Sequence, residues 1–265
     1  MERTIQKRVP VSAESWVTVD VYGDPKTPGL VIVPGVMSDA EGWRNVVHAT
    51  RAWPSISVVN RRGRAPSGPL TESYVMRTEV DDLATVLEDL SEPRAVFGWS
   101  YGGLIALLLA GEQPLRHVIA YEPVIPPFGR EALPALKAAA MDGCWDRSVE
   151  IVNRQISGFT AEHVEALRTD PHTWETLRRL SEPLYDELRA LSLAQVPDAM
   201  ASRTERIDLI IGENNVDADP YGTSFEGIRT RVPHAAVHEL TGQGHLAHVQ
   251  DPVALGRMLD ALGSS

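Results

Sequence analysis

Cysteine is almost missing from this chain. Cys144 is the only one in 265 residues, so no internal disulfide can form and a reducing compartment suits the protein. Positive charge is also short: 25 Lys and Arg stand against 36 Asp and Glu, a formal charge of −11. That balance leaves no cationic surplus to neutralise phosphates, which sets nucleic acid aside as a partner. It also argues against an anionic membrane surface and against a highly anionic substrate. Long apolar runs are lacking too. The longest, "LIALLLA", is far too short to cross a bilayer. "MERTIQKRVP" has charges but no apolar stretch of the kind that forms a secretory signal. These absences lead us to expect a cytoplasmic protein with a small-molecule partner, and they leave a homodimer open.

What is present is an ordinary globular composition, 43% hydrophobic and 23% charged. A chain of this length buries roughly 70–75% of its unfolded surface. "WVTVDVYG" alternates at period two, as a half-exposed strand does. "GLVIVPG", "SISVVN", "AVFGW" and "HVIAY" are continuous apolar runs, as in parallel strands covered on both faces. Between them "TEVDDLATVLEDL" places Val80, Leu83, Val86, Leu87 and Leu90 at helical spacing, and "LIALLLAGE" reads as a buried helix. Such alternation predicts an α/β fold with a mostly parallel sheet. No strand is readable from about 126 to 201. Helical segments follow one another there: "EALPALKAAAMDG", "DRSVEIVNRQISG", "TAEHVEALRTD" and "EPLYDELRALSL". Strands resume with "IDLIIG" and "AAVHEL", and "DPVALGRMLDAL" reads as a closing helix capped by Asp251 with Pro252 at its first position. We therefore expect a first core part over 1–124, a helical insertion over 125–204 and a second core part over 205–265.

The stretch "VFGWSYGGLIALLLA" sets Ser100 between Gly98 and Gly102 where a buried strand becomes a buried helix. Small neighbours let the helix pack hard on the strands, and the sharp turn lifts the hydroxyl clear. The free N–H groups of the helix start then point at whatever the hydroxyl attacks. This is the G-x-S-x-G nucleophile elbow in its strand-to-helix context. A serine needs a base. His245, in "ELTGQGHLAHVQDP", sits in a glycine-flanked loop after the last strand. His248 reads as a packing or surface histidine, and no third ligand at metal-like spacing accompanies the two, so we expect no metal.

Core order, elbow, insertion point and the "GQGH" ending resemble the capped α/β-hydrolase superfamily over essentially the whole chain. The Tyr-Glu-Pro in "IAYEPV" is similar to that of a broad group of bacterial members. The resemblance implies a cofactor-free serine hydrolase. Dehalogenases and epoxide hydrolases of this fold need an aspartate where Ser100 stands, so it disfavours those activities. Matching "VPGVM" to the family's His-Gly-x pattern implies oxyanion donors at the N–H groups of Val36 and Tyr101, with Pro34 replacing the family's histidine. "NRRGRAPSG" resembles the family's Asp-x-Arg-Gly loop, and Asn60 with its arginines reads as structural.

The acid that orients His245 has two candidates. In "LIIGENN" the position where many family members carry the aspartate is Asn215, and an amide cannot offset the charge of imidazolium. Glu122 ends the strand next to the elbow strand and is our leading choice. Asp217, slightly further into the loop, is the alternative. Met37, Trp99, Val124, Ile125 and Trp145 are candidates for an apolar substrate wall. The leading expectation is cleavage of an ester, lactone or thioester of moderate polarity. A carbon–carbon bond hydrolase or a perhydrolase would use the same three residues, and a ligand-binding receptor on this fold would keep the pocket without turnover.

Overall fold

The computed structural model describes residues 2–90 and 93–264. Among these residues eight strands form one sheet: β1 (Arg3–Val11), β2 (Ser15–Gly23), β3 (Leu30–Val33), β4 (Ser55–Asn60), β5 (Ala95–Trp99), β6 (Leu115–Tyr121), β7 (Thr204–Gly212) and β8 (Ala236–Leu240). Their spatial order is β1-β2-β4-β3-β5-β6-β7-β8, antiparallel through β4 and parallel from there on. The continuous apolar runs become the central strands, buried on both faces, as parallel pairing requires. β1 is an edge strand exposed along most of its length, and its charged sequence gave no strand signal.

Helices cover both faces. On one side lie α1 (Arg44–Ala49), the short α10 (Ala247–Gln250) and α11 (Pro252–Gly263), whose Val46, Val47, Ala247, Leu255 and Leu259 pack on Ile32, Val58, Phe97 and Ile119. The predicted cap is present: the Asp251 carboxylate accepts from the Ala254 N–H, and Pro252 opens the helix. On the other side lie α2 (Met76–Asp89), α3 (Tyr101–Glu112) and α9 (Tyr221–Arg229). α3 runs between the sheet and α2, so it is apolar nearly all round.

Between β6 and β7 the chain forms only helices: α4 (Leu133–Met141), α5 (Trp145–Ile151), α6 (Ala161–Arg168), α7 (Pro171–Leu180) and α8 (Leu184–Leu193). α5 widens into one π-helical turn at Val152–Ile156. Part of this segment joins the main core through Leu136, Leu184 and Leu188, while Val149, Val164 and Trp174 form a small cluster of their own.

The parallel register sets the carboxyl ends of the strands level. Val33 pairs with Gly98, Trp99 with Tyr121, Tyr121 with Ile210 and Gly212 with Leu240. Every segment that leaves β3, β5, β6, β7 and β8 therefore emerges along one edge, the place where ligands bind in sheets of this kind.

Candidate active site

Ser100 stands at the head of α3 with φ 56° and ψ −119°, a conformation an L-residue adopts only under constraint. The constraint is visible. Its N–H donates to the Tyr121 carbonyl at 2.9 Å, and its own carbonyl accepts from Gly103 and Leu104 at 3.0 and 3.2 Å. The glycines have a packing reason. A Cβ at Gly98 would lie 2.4 Å from the Gly102 carbonyl oxygen, and one at Gly102 would lie 2.1 Å from that of Val33. Met37, Glu122 and Asp217 are the other positive-φ residues along this edge. Strain of this sort, costing about 1–3 kcal/mol per residue, collects where a site over-determines its backbone.

Glu122 follows β6 directly and is fully buried. One carboxylate oxygen accepts from the Gly212 N–H at 2.9 Å, and both accept from Asn215 Nδ2 at 2.9 Å. The second oxygen lies 2.7 Å from His245 Nδ1. With a carboxylate as acceptor the ring proton sits on Nδ1, which leaves Nε2 as the basic nitrogen. Asn215, at the family's usual acid position, thus braces the carboxylate. Asp217 lies exposed, and its carboxylate bonds to no group among the described residues.

His245 is brought to the serine turn by Trp99, whose indole N–H donates to the His245 carbonyl at 2.8 Å. Its ring lies between Trp99, at 4.8 Å, and Tyr221, stacked at 3.6 Å. Tyr221 opens α9, and its hydroxyl donates to Ser157 Oγ at 2.9 Å. His248 lies beneath, stacked on Trp43 at 4.7 Å and packed against Trp99 at 4.3 Å. Desolvation in that sandwich, reinforced by neighbouring His245, pushes its pKa down to about 3.

The segment after β3 closes the other side of the serine. A Cβ on Gly35 would lie 2.9 Å from Ser100 Cβ, so bare backbone approaches the hydroxyl-bearing residue. Among the described residues neither the Val36 N–H nor the Tyr101 N–H donates a hydrogen bond, the second because it heads a helix. Asn60 holds this segment by accepting from the Ala40 N–H at 2.8 Å. The candidate wall residues are scattered. Met37 is half-buried and packs on the Val149–Trp174 cluster; Val124 and Ile125 lie in the main core beside the site. Trp99 points to the α1–α11 face, and Trp145 starts α5 half-buried. Among the described residues no helix is long and apolar enough to cross a membrane, and no group of His, Cys, Asp and Glu is placed to hold a metal ion.

Two residues at this edge, Tyr221 and Glu187, escaped the sequence reading, and a third, Arg61, was read only as structural. Tyr221 carries no local signal, since it stands outside every periodic pattern. Glu187 was readable only as a helix anion, yet it is buried and forms an ion pair with buried Arg61 at 2.7 Å. The buried carboxyl of Glu187 is held low because Arg64 and Arg61 outweigh its desolvation.

The fold is shared widely among solved structures. An alpha/beta hydrolase from Sphaerobacter thermophilus is 21% identical, with a TM-score of 0.76 over 96% of this chain and 99% of its own. The esterase RhEst1 from Rhodococcus sp. is 16% identical, with a TM-score of 0.73 over 98% of each chain. A haloalkane dehalogenase loop variant from Bradyrhizobium elkanii is 17% identical, with a TM-score of 0.67 over 99% of this chain and 97% of its own. A search of the curated proteins gives no match. The model of the Alpha/beta hydrolase family matches residues 30–257, which spans β3 to β8, the serine turn and the His245 loop, and the chain belongs to that family.

Proposed function

We propose that the protein is a serine hydrolase that cleaves a small-molecule ester, lactone or thioester through an acyl-enzyme. The observation that carries this reading is the buried Glu122–His245 contact of 2.7 Å beside a serine held at positive φ. In this reading His245 Nε2 takes the proton of Ser100 Oγ as that oxygen attacks the acyl carbon. The negative oxygen of the tetrahedral intermediate accepts from the Val36 and Tyr101 N–H groups. Collapse breaks the acyl bond to the leaving group, which receives the proton from His245. Water, deprotonated by the same nitrogen, then attacks the acyl carbon and returns Ser100. Glu122 keeps the imidazole in the Nδ1–H form and offsets its charge while it is protonated.

The likeness to the Rhodococcus esterase supports this class, and the serine, rather than an aspartate, supports acyl transfer over dehalogenation. Helices α4–α8, within 125–204, act in this proposal as a cap. Ser100 is 4% exposed, which favours a small substrate over a polymer. The test is a panel of p-nitrophenyl esters of graded chain length with a fluorophosphonate probe. Turnover should occur and the label should map to Ser100. Equal labelling of Ser100→Ala protein would reject the reading.

A further inference from the structure

The loop after β4 buries three guanidinium groups, Arg61, Arg62 and Arg64. A buried cation needs compensation. Arg62 finds it in Asp82, through two contacts of 2.5 Å, and Arg64 in Glu187 at 2.7 Å. Arg61 divides its donors differently. One Nη donates to Glu79 at 2.7 Å, and the other lies 2.7 Å from Glu187. In addition, Nε donates to the Pro34 carbonyl and Nη2 to the Gly35 carbonyl, both at 2.9 Å. The guanidinium also lies 4.9 Å from the centre of the Tyr101 ring.

Two consecutive carbonyls held by one rigid fork fix two consecutive peptide planes. Holding is needed here, because a glycine lets the peptides on either side of it rotate at little cost. The Gly35–Val36 peptide is trans, so its N–H points away from the carbonyl that Arg61 grips. Gly35 itself abuts Ser100 Cβ. We propose that Arg61 is a positioning residue: it orients the Gly35–Val36 peptide so that the Val36 N–H faces the charge that forms at Ser100. Glu187, carried on α8, couples that orientation to the helices between β6 and β7. This inference rests on the assignment of Val36 as an oxyanion donor. A lysine could keep the charge but could not hold both carbonyls and both carboxylates at once.

The test uses two variants of the full chain, because loss of the guanidinium alone would strip buried Glu79 of the cation it pairs with. Arg61→Lys keeps the charge. Arg61→Met with Glu79→Gln removes a cation and an anion together and leaves the Arg64–Glu187 pair intact. With a p-nitrophenyl ester, either folded variant should lose about 10²–10³ in kcat while KM changes less than about threefold. Thermal melts establish folding. A folded variant with normal kcat overturns the proposal. So does failure of both variants to fold, which would make Arg61 a structural residue. Replacing the Val36 amide by an ester, which deletes the N–H alone, separates the two levels. Normal kcat there rejects the oxyanion assignment and this inference with it. Impaired kcat there with normal Arg61 variants rejects the inference alone.

Discussion

On one side of Ser100 the segment after β3 offers bare backbone, with Gly35 against the serine and Arg61 gripping two carbonyls behind it. On the other side the turns after β6, β7 and β8 offer charge, with Glu122 accepting from Gly212, Asn215 and His245. The first side works by shape: no side chain could occupy Gly35 or Gly102 without displacing its neighbours. The second works by compensation, since a carboxylate this deeply buried is tolerable only with several donors around it. The contrast separates what each kind of substitution should do.

The charged side breaks most sharply by removing charge and keeping shape. Glu122→Gln should lower kcat by roughly 10²–10⁴, while Asp217→Asn should cost less than about tenfold. Steady-state kinetics with a thermal melt of each variant checks both, and the reverse order would move the acid into the loop after β7. The shape side breaks by adding one methyl group. Gly102→Ala, whose new Cβ would fall 2.1 Å from the Val33 oxygen, should destabilise the fold by about 3 kcal/mol in urea unfolding. Asn215→Ala sharpens the comparison, because it removes a donor and leaves the charge. It should cost about 1–2 kcal/mol of transition-state stabilisation, clearly less than Glu122→Gln.

A smaller effect concerns pH. His248, pushed down to about 3, stays neutral in the fold while the unfolded chain takes up a proton below the ordinary histidine value. The unfolded state then binds more protons, so this residue makes stability fall as pH drops from about 6.5 toward 3. The carboxyl of Asp82, raised to about 6 chiefly by desolvation, acts in the opposite direction. Comparing wild type with His248→Phe cancels that term. Urea midpoints should show the variant gaining about 1 kcal/mol relative to wild type between pH 6.5 and 5.5. Equal pH dependence of the two would contradict the buried neutral histidine.

The central strands were legible because burial on both faces writes itself as unbroken apolar runs, and the serine turn because only small residues fit its packing. β1 was not, because a strand exposed at the sheet edge has no burial pattern to display. α7 and α9 passed unread, their apolar residues too few to stand out. The geometry around the site was hidden for a different reason. Glu79 and Asp82 occupy the buried face of α2, where periodicity predicts apolar residues, because Arg61 and Arg62 come from another part of the chain to meet them. Pairings between distant residues leave no local trace. Tyr221 over the His245 ring and Asn215 bracing Glu122 are of the same kind.

In the proposed reaction Ser100 carries the acyl group, and the Glu122–His245 pair drives both its formation and its removal. Acid-quenching the protein during turnover of p-nitrophenyl acetate, followed by peptide mass mapping, tests this most directly. An acetyl group is expected on the peptide containing Ser100, formed far more slowly in Glu122→Gln and absent in Ser100→Ala. Turnover with no acetyl group on Ser100, or an adduct that survives Ser100→Ala, would contradict it.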